Sequence, residues 1–409
     1  MVSLSGGPRC LGCMSEHSTS NNKVVVIGGG YAGTVAANRL RMRADMDITL
    51  VNPRPVFVER VRLHQFVAGT GGSAVDYGTL LGGGVRLVVD SATRIDAALR
   101  TVKLASGRSL DYDYVIYAVG STGAIPSSVP GAAEFALSVA EFEPARRLRA
   151  RLAELPRDAP VVVVGGGLSG VETAAELAER GRTVTLVCGG TLVPSLGAPA
   201  RRSVARWLCR HGVTVVEDGV VTEVRPDAIV LADGVVRPSA LTIWTGGFSV
   251  PELARVSGLR TDDLGRLLAD ETLTSVDDDR IVATGDAAAP SGQPLRMSCQ
   301  GAGPLGAQAA DTVLSRIAGT EPAVINLALT GACVSLGRHA AVRQLAHKDD
   351  ISVNAYIGGR FGAVIKELTC KVAVGKIRSE ARKPGSLIWP KGGPRPGQQA
   401  TAAQTITSP

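Results

Sequence analysis

A glycine fingerprint occurs twice in this chain, as Gly28-x-Gly30-x-x-Gly33 and, 137 residues later, as Gly165-x-Gly167-x-x-Gly170. Each copy follows a run of β-branched residues, Val24 to Ile27 and Val161 to Val164, and each opens a helix-patterned stretch. In that setting every glycine has its own task. The first permits a tight turn, the second lets backbone approach an anion, and the third lets helix pack closely on strand. The helix N-terminus then aims amide hydrogens and a partial positive charge at a phosphate. For either copy alone, a tight βα turn without a ligand is the bland alternative. Two copies together point to two dinucleotides held face to face, one handing electrons to the other.

Residues 22–52 read as strand, turn, helix and strand, and residues 159–188 repeat the pattern. Such an internal duplication suits two parallel sheets. Short strands follow each unit, within 85–119 (with a hairpin near Gly107) and within 213–245. A helical pattern after Gln300 closes at Gly319, and residues 325–380 form a smaller unit. The order predicts an α/β fold with two Rossmann-like dinucleotide-binding domains of the three-layer ββα type, one inserted in the other. The first domain takes 22–125 and 255–320, the inserted one 126–254, and a small C-terminal domain 321–383. Residues 1–21 read as a disordered leader, in which Met14 is an alternative start. The Pro/Gly/Gln-rich stretch 384–409 reads as a disordered tail.

The composition, 45% apolar and 20% charged, is that of a globular enzyme with large cores. No run of 18 apolar residues suggests a membrane span, and the leader lacks the apolar core of a signal peptide, so the expected compartment is the cytoplasm. Cys10 and Cys13 form a C-x-x-C pair with no second pair to complete a zinc site, so no metal is expected. The net charge of +7 is uneven, with ten Lys/Arg against four Asp/Glu between Lys348 and Arg395. A basic segment attracts nucleic acid or anionic lipid, or is simply a solvated surface. No nucleic-acid partner is expected.

Both units lack the acidic residue that accepts from a ribose hydroxyl at the end of the second strand. Asn52 stands there, 24 residues after Gly28, and Cys188, 23 after Gly165. The amide oxygen of Asn52 can still accept a hydrogen bond. Cys188 is a poor substitute and leaves nothing to repel a 2′-phosphate, while Arg201 and Arg202 follow at a distance. NADH against NADPH stays open.

Four ordered stretches now carry a family resemblance. Thr274 to Asp286 (TSVDDDRIVATGD), Tyr114 to Ser121 (YVIYAVGS) and Thr242 to Phe248 (TIWTGGF) resemble segments of FAD-dependent pyridine nucleotide oxidoreductases. GGGLSGVETAAELAE resembles their NAD(P)H-binding unit. The resemblance covers residues 22–320. It implies FAD on Gly28, Gly30, Gly33, Asn52, Gly120 and Asp286, and NAD(P)H on Gly165, Gly167, Gly170 and Gly246, with Glu172 near the nicotinamide. The disulfide reductases of that group place a cysteine pair after the second strand. The stretch from Asn52 to Gly69 contains no cysteine, so electrons must leave the flavin by another route.

The chain most resembles the type II NADH dehydrogenase-like branch, which includes proteins similar to apoptosis-inducing factor. MSCQGAGPLGAQAA from Met297 resembles the segment beside flavin and quinone, with Gln300 and Ala302 kept and Pro304 in place of a second glutamine. VSLGRHAAV and GRFGAVIKE, from Val334 and Gly359, resemble the C-terminal domain of that branch. The resemblance implies hydride transfer from NAD(P)H to FAD and electron transfer onward to a quinone-like acceptor, with Glu172 and Gln300 as candidate catalytic residues. His64 and Arg62 join them by their position after the first unit, where the alternative is a surface arginine and a hydrogen-bonded histidine. A protonated His64 or Arg62 beside the flavin would stabilise its reduced form. The alternatives are a ferredoxin- or rubredoxin-type reductase, and a non-enzymatic redox-sensing protein similar to apoptosis-inducing factor. Cys299 invites comparison with sulfide:quinone oxidoreductases, but those need no nicotinamide site. A homodimer is compatible with the sequence.

One C-terminal feature has two physical readings. Phe361, Val364, Ile365, Leu368 and Val372 share a helix face, with Lys366 and Lys371 off that face. The stripe either packs on the core or lies in a membrane interface, peripheral on its cytoplasmic side.

Overall fold

The computed structural model describes residues 21–395. The C-x-x-C pair and Met14 lie outside the described residues. The first fingerprint joins β1 (Asn22–Ile27) to α1 (Tyr31–Leu40), followed by β2 (Met46–Asn52) and the short α2 (Leu63–Ala68). β3 (Val85–Val89) and β4 (Tyr114–Tyr117) complete the first run of strands. The second unit comprises β5 (Ala136–Ser138), α3 (Phe142–Glu154), β6 (Val161–Val164), α4 (Leu168–Glu179), β7 (Val184–Val187), α5 (Ala198–Arg210), β8 (Thr214–Val216) and β9 (Leu241–Trp244). The chain then returns through β10 (Ile281–Ala283) and α6 (Cys299–Ile317).

Two five-stranded parallel sheets result, ordered β10-β4-β1-β2-β3 and β5-β9-β6-β7-β8. The fifth strand of the first sheet arrives only after the whole second sheet has been built, so one domain is inserted in the other. The two crossing segments lie side by side, with Thr122 and Gly123 pairing antiparallel to Ser249 and Phe248. Each sheet is covered by helices on one face and by a three-stranded antiparallel layer on the other. A strand covered on both faces is driven by burial along its whole length. That is why Val161 to Val164 are all buried and read as an unbroken apolar run.

The C-terminal unit is an antiparallel sheet, β11 (Cys333–Leu336), β12 (Ala340–Ala346) and β13 (Ser352–Ile357), followed by the long helix α7 (Gly359–Arg382). Beyond α7 the structure departs from the expectation of a free tail. Glu380, fully buried, accepts from the amides of Gly385 and Leu387, both at 2.7 Å, and pairs with Arg39 at 3.4 Å. Leu387 is buried, and the Trp389 indole N–H donates to the Asn326 carbonyl at 3.0 Å. One internal carboxylate thus fastens a stretch whose composition alone reads as disordered. Residues 396–409 lie outside the described residues.

Candidate active site

The two fingerprints fold alike. Gly28 and Gly165 have φ of +104° and +117°, in the left-handed region that favours glycine. A Cβ on Gly33 or Gly170 would stand 1.8 Å from the carbonyl oxygen of Gly28 or Gly165. The middle glycines differ: a Cβ on Gly30 or Gly167 would meet nothing within 4 Å. It would instead fill the open cradle at the start of α1 or α4. Neither helix has a side-chain cap or an acidic residue in its first turn, so its leading amides are left for an anion.

Between the domains lies a cavity of about 450 Å³, lined by both fingerprint turns, by Gly120 and Gly246 at the domain exits, and by the C-terminal unit. Asp286 faces it and accepts from the Ser121 hydroxyl at 2.7 Å. Thr284 Oγ1 and Tyr31 Oη, on residues of the same lining, are buried without a protein partner. Open cradles, unpartnered hydroxyls and an aspartate at the end of β10 fit a dinucleotide flavin that would supply the missing partners.

Asn52 has a structural part besides the one expected. Its amide oxygen accepts from Gly29 N–H at 3.0 Å and its amide nitrogen donates to the Arg54 carbonyl at 2.8 Å. Tyr77 donates to the Gly29 carbonyl at 2.6 Å. Asn52 therefore braces the glycine turn with one lone pair of its amide oxygen.

Of the candidate catalytic residues, three line the cavity and one does not. Glu172, on α4, is buried and paired with Lys366 Nζ at 2.7 Å. Burial opposes its ionisation, but the Lys366 ammonium prevails and holds the carboxyl below its ordinary range. The same carboxylate accepts from the backbone N–H and the hydroxyl of Ser335, each at 3.0 Å. His64 Nε2 lies 3.2 Å from Ser335 Oγ, and its Nδ1 lies 3.6 Å from Glu172 Oε2. Burial pushes the imidazole down to about 4, so His64 is neutral and not the expected cation. Lys366 stays charged, since Glu172 raises its pKa against the effect of burial.

Arg62 lies elsewhere. It pairs with Glu367 at 3.0 Å and with Glu59 at 3.2 Å, lining a separate depression with Gln65, Arg338 and Lys371. Of the neighbouring pair it is Arg60 that lines the cavity, together with the distant Arg296 and Arg343, and it donates to the carbonyls of Ser121 (2.7 Å) and Ala140 (3.0 Å). In a pattern of alternating Arg and Val, only packing decides which guanidinium turns inward.

Gln300, on the first turn of α6, also lines the cavity. In the amide orientation that satisfies both ends, it accepts from Thr330 N–H at 3.1 Å and donates to the Gly331 carbonyl at 3.2 Å. Pro304 lies inside α6 and, having no N–H, cannot bond the Gln300 carbonyl one turn back. Cys299, Cys333 and Cys370 line the same cavity, and burial raises the thiols of Cys299 and Cys370, the latter to about 11, keeping both protonated.

Lys366 and Ser335 were not among the sequence candidates. Lys366 sits on α7, whose inner side brings Lys366, Thr369 and Cys370 to the cavity. The apolar stripe lies outward: Phe361 is 67% exposed, Val364 63% and Leu368 58%. Packing of the stripe on the core is thereby overturned. Among the described residues no helix is long and apolar enough to cross a membrane, and no cluster of His, Cys, Asp and Glu is arranged to hold a metal.

Comparison with known proteins agrees with this geometry. The family profile described as pyridine nucleotide-disulphide oxidoreductase matches residues 22–311. An NADH dehydrogenase-like protein of Mycobacterium tuberculosis is 33% identical over 323 residues, 72% of this chain and 80% of the relative. A type II NADH:quinone oxidoreductase of Haemophilus influenzae is 25% identical over 326 residues, 65% of this chain and 73% of the relative. Among solved structures, the sulfide:quinone oxidoreductase of Aquifex aeolicus aligns with a TM-score of 0.75 at 21% identity, over 89% of this chain and 93% of that one. NDH2 of Plasmodium falciparum in complex with NADH gives 0.73 at 15% identity, over 90% and 99%. At such identities the structures speak for the fold alone.

Proposed function

This chain belongs to the pyridine nucleotide-disulphide oxidoreductase family, and we propose that it works there as an FAD-dependent NADH dehydrogenase delivering electrons to a lipid-soluble quinone. FAD and NAD(P)H are the cofactors, on the first and second fingerprints respectively. When bound, FAD would supply the two-electron redox chemistry that links the nicotinamide to the acceptor. The side chains supply position and charge. The α1 and α4 N-termini hold the two pyrophosphates, and Asp286 with Ser121 fixes the flavin end. Lys366 Nζ, charged and lining the cavity, would offer a hydrogen bond and a positive charge to the acceptor oxygen as negative charge develops on it, and Glu172 with Ser335 and His64 holds the ammonium in place.

The observation that carries the quinone is the double use of α7. One side of this helix walls the cavity through Lys366, Thr369 and Cys370, while another presents Phe361, Val364 and Leu368 to the surroundings. An apolar acceptor dissolved in a membrane could reach the cavity along such a helix, with the protein peripheral on the cytoplasmic face. A soluble protein carrier would call for a charged docking face instead. The type II NADH:quinone oxidoreductase among the relatives supports this reading.

Anaerobic bleaching of the FAD-loaded protein by NADH, followed by mixing with a menaquinone analogue or with ferredoxin, tests it. Rapid reoxidation by the quinone is the expected result. Reoxidation by ferredoxin alone makes the protein a carrier reductase. Slow bleaching into a long-lived complex that neither acceptor relieves makes it a redox-sensing protein.

A further inference from the structure

Position 188, where an acid would meet the adenosine ribose, holds a cysteine that cannot take over the task. Its Cβ and Sγ stand 2.6 and 2.8 Å from where a Cβ of Gly166 would lie, so the side chain is packed against the fingerprint turn. Burial, with a smaller effect from Glu217, pushes the thiol up to about 11, which leaves it neutral.

The register of the sheet puts a carboxylate beside it. β7 and β8 run parallel with Thr185, Leu186 and Val187 opposite Thr214, Val215 and Val216. One further step sets Cys188 opposite Glu217. Neighbouring strands lie about 4.8 Å apart, and side chains in register leave the sheet on the same face. The two chains keep this register as far as the amide of Cys188 and then converge, with Gly189 N–H donating to the Gly219 carbonyl at 3.1 Å. Cys188 N–H donates to the Val216 carbonyl at 2.8 Å, and Gly190 N–H donates to the Glu217 carbonyl at 2.6 Å. Glu217 Oε2 accepts from Leu192 N–H at 3.1 Å, which turns the exposed carboxylate toward the loop that leaves β7. That loop, residues 188–197, contains no lysine or arginine to receive a 2′-phosphate.

In a fold of this kind the adenosine ribose lies just beyond the end of the strand that follows the fingerprint helix. We propose that Glu217, one strand over from the usual position, accepts from the adenosine ribose hydroxyls and makes the second site selective for NADH over NADPH. The carboxylate takes a hydroxyl proton as a hydrogen bond and repels a phosphate at the same place. The inference rests on the nicotinamide-binding part of the reading above and not on the identity of the acceptor.

Titration calorimetry of the FAD-loaded protein with NAD+ and with NADP+ reads the site without turnover. The wild type is expected to bind NAD+ at least tenfold more tightly. Hydrogen bonds to a charged group are worth about 1.5–3 kcal/mol, which corresponds to about ten- to a hundredfold in affinity. Glu217→Gln should therefore weaken NAD+ by about tenfold or more and narrow the preference by at least that factor, with an unchanged melting temperature. Cys188→Glu added to Glu217→Gln restores an acid at the usual position and should restore the preference. Three results overturn the inference. One is a wild type that prefers NADP+, which would direct attention to Arg201 and Arg202. Another is an unchanged NAD+/NADP+ ratio in a folded Glu217→Gln protein that still binds NAD+, leaving the dehydrogenase reading intact. The third is a wild type that binds neither nucleotide, which removes that reading as well.

Discussion

Lys366 Nζ, on the C-terminal helix, stands 2.7 Å from Glu172 Oε1 on the helix that the second fingerprint opens, and both side chains are nearly closed to water. Ser335, from the C-terminal sheet, completes the shell of that carboxylate, and His64, from the first domain, touches Ser335. Three units of the chain meet at one ion pair. An ion pair so placed bolts the three units together at the wall of the cavity.

Removal of one partner leaves the other charge buried and uncompensated, which costs about 3–5 kcal/mol. Lys366→Met should lower the unfolding free energy at pH 7 by that order, and adding Glu172→Gln should recover most of the loss. The sign with pH follows from the two shifts. The depressed Glu172 contributes stability above the ordinary carboxylate range and loses it as pH falls through its own lower value. The raised Lys366 contributes below the ordinary lysine range and loses it as pH rises through its own higher value. Both contributions are complete at neutral pH. Urea titration of the two single variants and the double variant measures the coupling; independent, additive losses would mean that the pair is not coupled.

His64 gives a second pH dependence with the opposite origin. Its imidazole is held near 4 by burial, against an unfolded value near 6.5. Between those values the unfolded chain binds a proton that the folded one refuses, so stability falls as pH drops from about 6.5 toward 4. The interval is worth about 3 kcal/mol at one unit per 1.36 kcal/mol. His64→Asn should flatten that slope in unfolding curves taken at successive pH values. A slope as steep as the wild type's would place its cause in some other group.

Much of this architecture is legible in the sequence because it rests on local chemistry. Gly28 and Gly165 declare their positive φ, the valine runs declare strands covered on both faces, and Asp286 follows a strand at a recognisable distance. What escapes is set by long-range packing. Arg60 and Arg62 are alike in composition, yet one lines the cavity and the other pairs with Glu367, 305 residues away. The stripe on α7 has the periodicity of a core face but is exposed, because the helix also has a second buried line through Gly362, Cys370, Val374 and Ile377. Periodicity counts apolar faces and does not say which one meets the protein. The segment after α7 is fastened by Glu380, a single buried acid with no local signature.

The two kinds of fingerprint glycine separate binding from folding. Valine at Gly167 occupies open space at the mouth of α4, on extended backbone that any residue adopts. Gly167→Val should keep the wild-type melting temperature and bound FAD while NADH no longer bleaches the flavin. Gly30→Val should lose FAD instead. Alanine at Gly33 has no such room, with the Gly28 carbonyl 1.8 Å from its Cβ, and should destabilise the fold outright. Differential scanning fluorimetry with flavin absorbance distinguishes the three, and loss of FAD in Gly167→Val would mean that the two sites are exchanged.

The exposed stripe of α7 makes a prediction about surfaces. Burying a leucine or valine side chain in an apolar medium is worth about 1.5–3 kcal/mol. Val364 and Leu368 are more than half exposed and lie one helical turn apart, with the lysine at 371 adding a charge that anionic headgroups attract. Only the exposed part of each side chain is transferred, so replacing both with serine removes about 2–4 kcal/mol, or roughly thirtyfold or more in vesicle affinity. Neither residue lines the cavity, so NADH oxidation with a short-chain, water-soluble quinone analogue should keep its rate. Co-sedimentation of the FAD-loaded protein with phosphatidylglycerol vesicles reads the first effect, and stopped-flow absorbance reads the second. Equal vesicle binding by wild type and variant would show that the stripe does not meet lipid. Loss of soluble-quinone activity together with vesicle binding would place these side chains on the acceptor's path into the cavity.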